Sequence, residues 1–188
     1  MIKALKLTIA SIILVWCGGF FYFLQIINHT PINSVAITDA IVVFGGDSNR
    51  LRTGTLLLQK GYAPLIFITC ESSQEEYTDL IKKHVVIPEQ FIVGTDVANC
   101  KKSHAADTEL FLEQYQLRSL RLVVDSVQLP RALMELSAKL PPDTIIVPHE
   151  TDIEHKDYVK VLKEYIKYST LVVMSVLGVQ TDLKMSYS

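Results

Sequence analysis

The hydrophobic residues of this chain form one long continuous run, followed by short runs that alternate with amphipathic segments. The long run covers residues 5–27 and contains a single charged side chain, that of Lys6. At about 1.5 Å per residue a helix of this length reaches roughly 34 Å, which is enough to cross a hydrocarbon core of about 30 Å. The pattern therefore predicts an N-terminal transmembrane helix that contacts the lipid bilayer through residues 5–27.

A cleaved signal peptide is the alternative interpretation of this segment, because Lys3 and Lys6 give it a positive N-terminal end. The run is longer than the apolar core of an ordinary signal peptide, and residues 25–31 contain no small-x-small cleavage site. We therefore expect an uncleaved anchor. The two lysines place its N-terminus in the cytoplasm, so a bacterial inner-membrane protein with a periplasmic soluble domain is expected.

The remainder of the chain alternates between strand-like and helix-like segments. Strands are predicted at residues 39–44, 65–69, 91–93, 120–124 and 144–147, and helices at residues 50–60, 73–84, 104–115, 129–140 and 157–177. This spacing is typical of β-α units, which build a parallel sheet covered by helices on both faces. The fold predicted is α/β: a Rossmann-like three-layer sandwich with a mainly parallel five-stranded sheet. The predicted units are the anchor at 1–28, a linker at 29–38, the α/β domain at 39–179 and a tail at 180–188.

Charge and cysteine content narrow the classes of function. The net charge is −2 and the basic residues are spread along the chain, so nucleic-acid binding is not expected. The three cysteines, Cys17, Cys70 and Cys100, show no metal-binding spacing, and no metal site is predicted. An oxidising periplasm would allow a Cys70–Cys100 disulfide, and two free thiols fit the sequence equally well.

Candidate ligand-binding residues follow the first predicted strand, since open parallel sheets bind ligands at the carboxyl ends of their strands. Gly45 and Gly46 next to a helix N-terminus can bring backbone N–H groups close to an anion, and Arg50 can bind a phosphate or carboxylate in a bidentate manner. A plain tight turn and a solvated helix charge are the alternatives, because neither complete glycine-rich nucleotide motif is present.

Three segments resemble the YdcF/ElyC/SanA-like family, also called domain of unknown function 218. Residues 39–46, DAIVVFGG, resemble the family's opening D-A-I-V-V-L-x-G-G, and Arg50 falls on its following arginine. Residues 122–132 resemble its L-V-T-S-x-Y-H-M-P-R-A segment, and residues 164–168 resemble an E-Y-x-K-Y run. The resemblance covers residues 39–168. It implies a Rossmann-like sheet behind a membrane anchor and an association with cell-envelope or peptidoglycan-related processes.

The chain departs from the family pattern where chemistry would be expected. The family's D-T-x-G-N-A-x-E-T stretch corresponds to residues 100–108, where His104 replaces the asparagine. The family's serine after the fourth strand becomes Asp125, and its histidine before M-P-R becomes Gln128, whereas Arg131 is kept. Because an amide does not exchange a proton near neutral pH, a general acid or base at position 128 is lost.

Two explanations of these departures remain open. Either His104 and Asp125 form a new His–carboxylate pair in a hydrolase or transferase, or the domain is a catalytically silent binding or scaffolding module. We favour the second, because a histidine at a helix start and an aspartate before a helix are commonly surface or capping residues. No catalytic residue and no cofactor is assigned. A small anionic or nucleotide-like ligand is expected at Gly45, Gly46, Arg50, His104, Asp125 and Arg131.

Overall fold

The computed structural model of the chain describes residues 2–29, 35–45, 48–69, 91–93, 104–151 and 158–177. The helices are α1 (Ile2–His29), α2 (Ser48–Gln59), α3 (His104–Tyr115), α4 (Leu129–Lys139) and α5 (Tyr158–Val176). The strands are β1 (Ala40–Val43), β2 (Leu65–Ile68), β3 (Phe91–Val93), β4 (Ser119–Asp125) and β5 (Ile145–Thr151). The helix predicted at residues 73–84 lies outside the described residues.

All strand pairs of the sheet are parallel, in the order β3-β2-β1-β4-β5. Four strands of four to seven residues form its body, and the three-residue β3 lies at one edge. The predicted α/β class with a parallel sheet is therefore confirmed. The central strand is β1, which pairs with β2 on one side and with β4 on the other.

Helices cover both faces of the sheet, which explains why its central strands are apolar at every position. Ile41 and Val43 belong to a buried cluster with residues of α2. Ala40, Val42 and Phe44 belong to a second cluster with residues of α3 and α4. Consecutive residues of β1 therefore point to opposite faces, and neither face of the strand meets solvent.

The side chain of Asp39 ties the start of β1 to the start of β4. Its Oδ2 accepts hydrogen bonds from the backbone N–H groups of Arg118 (3.0 Å) and Ser119 (2.8 Å) and from the Ser119 hydroxyl (2.8 Å). The Asp39 N–H in turn donates to Ser119 Oγ at 2.9 Å. These bonds, first of all that from the Ser119 hydroxyl, lower the pKa of Asp39.

Of two sequence signals at element ends, the one at Gly61 agrees with the structure and the one at Pro148 does not. Gly61, the predicted end of the second helix, has a φ of 75° and donates its N–H to the Leu58 carbonyl at 2.9 Å. The last strand continues beyond its predicted end at 147 and includes Pro148. A proline is tolerated there because β5 is an edge strand, whose outer side needs no backbone donor.

Helix α1 meets the length and composition expected of a membrane span between Lys6 and Ile27, and its first half exposes apolar side chains such as Leu7, Ile13 and Leu14. Its second half packs against α5. Phe23 is fully buried in a cluster with Val127 of the β4–α4 turn and with side chains of α5.

The contact between α1 and α5 is centred on Tyr165, whose hydroxyl donates to the backbone carbonyl of Trp16 at 2.7 Å. Its ring lies edge-on to the rings of Trp16 and Phe20, with centroids 5.2 and 5.1 Å away. Gly19 permits this approach, because a Cβ there would lie 2.6 Å from the Tyr165 hydroxyl oxygen. Helix α5 also packs on α4.

Candidate functional site at the carboxyl edge of the sheet

The polar residues that end the central strands gather at one edge of the sheet. The chain leaves β1 towards α2 and β2 on one side of the sheet, whereas β4 and β5 lie on the other side. Such a reversal of strand order opens a crevice outside the carboxyl ends of the strands. Gly45 and Thr69 follow β1 and β2, and Asp125 and Thr151 end β4 and β5.

Thr69 connects Gly45 to His104. Its hydroxyl oxygen accepts the Gly45 N–H at 3.1 Å and lies 2.8 Å from His104 Nδ1 and 3.3 Å from the Val43 carbonyl oxygen. The single hydroxyl proton of Thr69 serves either the imidazole or the carbonyl, so the tautomer of His104 sets the direction of the bond. The turn after β1 and the start of α3 are thereby held together through one buried threonine.

His104 is a neutral imidazole at pH 7. Burial, and then the positive charges of Arg131 and Arg50, lower the pKa of His104 to about 4. The ring stacks on Phe44, with centroids 5.0 Å apart and an interplanar angle of 26°. A group with so low a pKa is almost never protonated near neutrality, and is a poor general base there.

Arg50 and Asp125 form a buried ion pair at the centre of the crevice. Nε of Arg50 lies 3.5 Å from Oδ1 of Asp125, and Nη1 donates to the Gln128 amide oxygen at 3.2 Å. The same carboxylate accepts a hydrogen bond from the Thr151 hydroxyl at 3.0 Å and one from Lys160 Nζ at 2.8 Å. Arg50 is thus fixed by three elements, α2, β4 and the turn before α4.

Two cations share the single carboxylate of Asp125, so this group carries one net positive charge. Burial would raise the pKa of Asp125, but the charge of Arg50, the hydrogen bond and charge of Lys160 and the Thr151 hydroxyl bring it below its usual value. Asp125 is therefore ionised at neutral pH. The side chain of Lys160 is 40% exposed, so this group is partly open to solvent.

Arg131 belongs to a second buried network, behind His104. Its Nε donates to Glu164 at 2.8 Å and its Nη1 to Glu135 at 2.6 Å. Glu164 also accepts a bond from Lys167 at 2.9 Å. Two cations and two carboxylates balance in this network, which joins α4 to α5.

The structure brings together four of the six residues expected to hold a ligand: Gly45, Arg50, His104 and Asp125. Arg131 lies near enough for its charge to act on His104, although its guanidinium is bound to two glutamates. Gly46 lies outside the described residues. Ligand binding at these positions stays a prediction.

Two interpretations that the sequence left open for these side chains are not supported by the described contacts. Asp125 was expected to cap the helix that follows it, but Gln128 is the N-cap residue of α4, and the Asp125 carboxylate faces Arg50, Thr151 and Lys160 instead. The contacts of His104 and Asp125 also lead to different partners, because His104 Nδ1 faces Thr69. These contacts do not support the His–carboxylate pair.

Sequence reasoning missed Thr69 and Lys160, and it noted Glu164 as part of the E-Y-x-K-Y run without giving it a role. Thr69 could have been found, since it is the last residue of the second predicted strand. Lys160 carried no such signal, because it lies on the last helix and reaches Asp125 only through the packing of α5. Among the described residues no group of three or more His, Cys, Asp or Glu side chains could hold a metal ion. Cys70 and Cys100 lie outside the described residues.

The fold and the crevice define a parallel α/β protein that carries an apolar N-terminal helix. No family model matches the chain. It is 33% identical over 175 residues to the uncharacterized protein RP875 of Rickettsia prowazekii (strain Madrid E), a match that covers 92% of this chain and 99% of that protein. It is 34% identical over 170 residues to the uncharacterized protein RC1356 of Rickettsia conorii (strain ATCC VR-613 / Malish 7), covering 89% and 96% respectively. The chain belongs to the family of these two rickettsial proteins.

Proposed function

We propose that the protein is a single-pass protein of the bacterial inner membrane whose α/β domain lies in the periplasm and binds a small anionic ligand. Anchoring is supported by the apolar stretch from Lys6 to Ile27, and the orientation by Lys3 and Lys6 at its N-terminal end. A YdcF/ElyC/SanA-like protein with a role in the cell envelope is the proposed type, supported by the resemblance of residues 39–46 and by Arg50. A Rossmann-like fold is supported by the strand order, which is that of a dinucleotide-binding half with two further strands.

The observation that carries the binding proposal is the sharing of one buried carboxylate by Arg50 and Lys160. Ligands of such sheets bind at this edge, and the net positive charge selects an anion. A phosphate-bearing or nucleotide-like molecule fits this charge. Its phosphate would meet the partly exposed Lys160 side chain, with the Gly45 turn and Arg50 behind it.

A catalytically silent role is proposed over a hydrolase or transferase. The pKa of about 4 leaves His104 neutral, the Asp125 carboxylate is fully engaged, and Gln128 cannot exchange a proton. General acid–base catalysis needs a group that titrates near the working pH, and these three groups do not. Hydrolysis of a phosphate ester by the purified protein would favour the enzyme class instead.

Ligand-induced thermal stabilisation of the full chain in detergent tests the proposal, with inorganic phosphate, ADP and adenosine as probes. A ligand at a hundred times its Kd adds about 2.7 kcal/mol to the free energy of unfolding, or roughly 5–10 °C in Tm for a chain of this size. ADP is expected to shift the Tm, and adenosine, which has no phosphate, is not.

The Lys160→Ala variant should lose most of this shift while it keeps the Arg50–Asp125 pair. Lys163→Ala is the matched control, since Lys163 is an exposed lysine one turn further along α5. Arg50→Ala should abolish binding, although it also removes a buried ion-pair partner. Equal shifts in the Lys160 and Lys163 variants would refute an anion site at this edge.

A further inference from the structure

Helix α5 exposes a stripe of apolar side chains along its whole length. The members of the stripe recur at intervals of three, four or seven residues, so they lie on one side of the helix. Their exposed fractions run from 40% to 81%. The stripe consists of Val159, Leu162, Ile166, Val173 and Val176.

The opposite side of α5 is occupied by contacts within the protein. Val161, Glu164 and Tyr165 are buried, and Lys160 reaches Asp125. The stripe therefore faces away from the α/β domain. Residues 168–177 contain no charged side chain, so the second half of the helix carries no charge that would have to leave water.

The surface next to the stripe belongs to α1. Trp16 and Phe23, both within the apolar stretch from Lys6 to Ile27, pack on Tyr165 and Tyr168 of α5. Phe21 and Tyr22 on this half of α1 are exposed. Helices α1 and α5 are in van der Waals contact at Trp16 and Phe23. A medium that surrounds α1 as far as Phe23 therefore also reaches α5.

We propose that the stripe on α5 rests on the lipid bilayer that surrounds α1. Helix α5 then lies in the membrane interface as an amphipathic helix, with its apolar side towards the acyl chains. Lys163, exposed between stripe and domain, lies at the level of anionic headgroups. A second copy of the chain is the competing occupant, but it would have to fit beside α1 in the space that the bilayer fills.

This inference rests on the proposed membrane anchoring. Tryptophan fluorescence tests the anchoring of α1 and the contact of the stripe with lipid separately. The chain contains one tryptophan, Trp16, which reports on α1 in the wild-type protein. In a Trp16→Phe background, Ile166→Trp and Val173→Trp report on the stripe. Ile145→Trp is the matched control, since Ile145 is an apolar residue 62% exposed at the opposite end of the sheet.

Each full-length variant is reconstituted into phosphatidylcholine–phosphatidylglycerol vesicles with and without brominated acyl chains. Brominated lipid is expected to quench Trp16 and, to a comparable extent, the tryptophans at 166 and 173, but not that at 145. Thermal melts followed by far-UV circular dichroism identify any variant that is not folded. If one of the two stripe variants fails to fold, the other still reports on the contact between the stripe and lipid.

Quenching of Trp16 without quenching at 166 and 173 would overturn the inference and leave the anchoring intact. Absence of quenching at Trp16 as well would overturn both. If the tryptophans at 166 and 173 escape the brominated lipid and the particle mass corresponds to a dimer, the stripe is a contact between copies.

Discussion

The Arg50 guanidinium, from the first turn of α2, lies 3.5 Å from the Asp125 carboxylate at the end of β4, and both side chains are almost fully buried. This pair joins the two elements that flank the crevice. Removing one partner of a buried ion pair leaves the other without compensation, whereas removing both is much less harmful.

We expect Arg50→Leu to lower the free energy of unfolding by about 3 kcal/mol, the lower end of the range for such pairs because Lys160 still neutralises Asp125. The double variant Arg50→Leu/Asp125→Leu should lose less than the sum of the two single variants. Urea denaturation of the four proteins in detergent gives the coupling energy. A sum of single effects equal to the double effect would show that the two residues are independent.

The pH dependence of stability should reveal His104. The free histidine titrates near 6.5 and the buried one at about 4. Between these values the unfolded state binds the additional proton, so the stability that His104 contributes is fully present above 6.5 and is lost as the pH falls through 4. At about 1.4 kcal/mol per pKa unit the loss amounts to roughly 3 kcal/mol.

His104→Asn should remove this part of the pH dependence. The asparagine amide oxygen can still accept the Thr69 hydroxyl proton, and it does not titrate. Urea denaturation between pH 4 and pH 7 measures the slope for each protein. His149, whose pKa is also lowered by burial, keeps its own contribution in both. Equal slopes in wild type and variant would contradict a buried neutral His104.

Gly19→Ala should disturb the contact between α1 and α5, and Gly18→Ala should not. A Cβ at position 19 would come within 2.6 Å of the Tyr165 hydroxyl oxygen, whereas one at 18 meets nothing within 4 Å. Both substitutions raise helix propensity by about 1 kcal/mol. Gly18→Ala should therefore stabilise α1, and Gly19→Ala should move Tyr165 away from Trp16. The emission spectrum of Trp16 reports on the change, and identical spectra in the two variants would be inconsistent with this packing.

Asp39→Ala should cost about 1–3 kcal/mol, because two backbone N–H groups and a hydroxyl lose their acceptor. Asp39→Asn should cost less, since its carbonyl oxygen can still accept the backbone bonds. The contribution of the lowered pKa is fully present above the ordinary value of 3.8 and is lost as the pH falls through the folded pKa. Thermal unfolding at pH 7 compares the variants; equal losses for both would argue against a role of the carboxylate oxygen.

Local patterns predicted the secondary structure well. The predicted helix at residues 104–115 has the observed bounds, and the strand at 91–93 likewise. Buried parallel strands form continuous apolar runs, and helices end at residues such as Gly61, so both signals lie within a few neighbouring residues. The parallel arrangement followed from their alternation.

Ion pairs between side chains that are far apart in the sequence could not be predicted from local patterns. From the sequence alone, Arg50 fits an exposed charge on a helix, and its pairing with Asp125 is visible only in the structure. Arg131 likewise fits a ligand-binding arginine, and its pairing with Glu164 is visible only in the structure. Each of these side chains is polar and could equally face solvent. Only the packing of α5 on α4 brings Lys160 and Glu164 to these partners, and no short-range pattern encodes that packing.

The bond from the Tyr165 hydroxyl to the Trp16 carbonyl spans 149 positions of the chain. At a synthesis rate of about 5–20 residues per second, Trp16 leaves the ribosome roughly 7–30 s before the residue that will cover it. During that interval the newly made apolar helix must be sheltered by something other than its final neighbour. Insertion machinery or a chaperone would therefore meet it first, and closure of Tyr165 over Trp16 would be among the last steps of maturation.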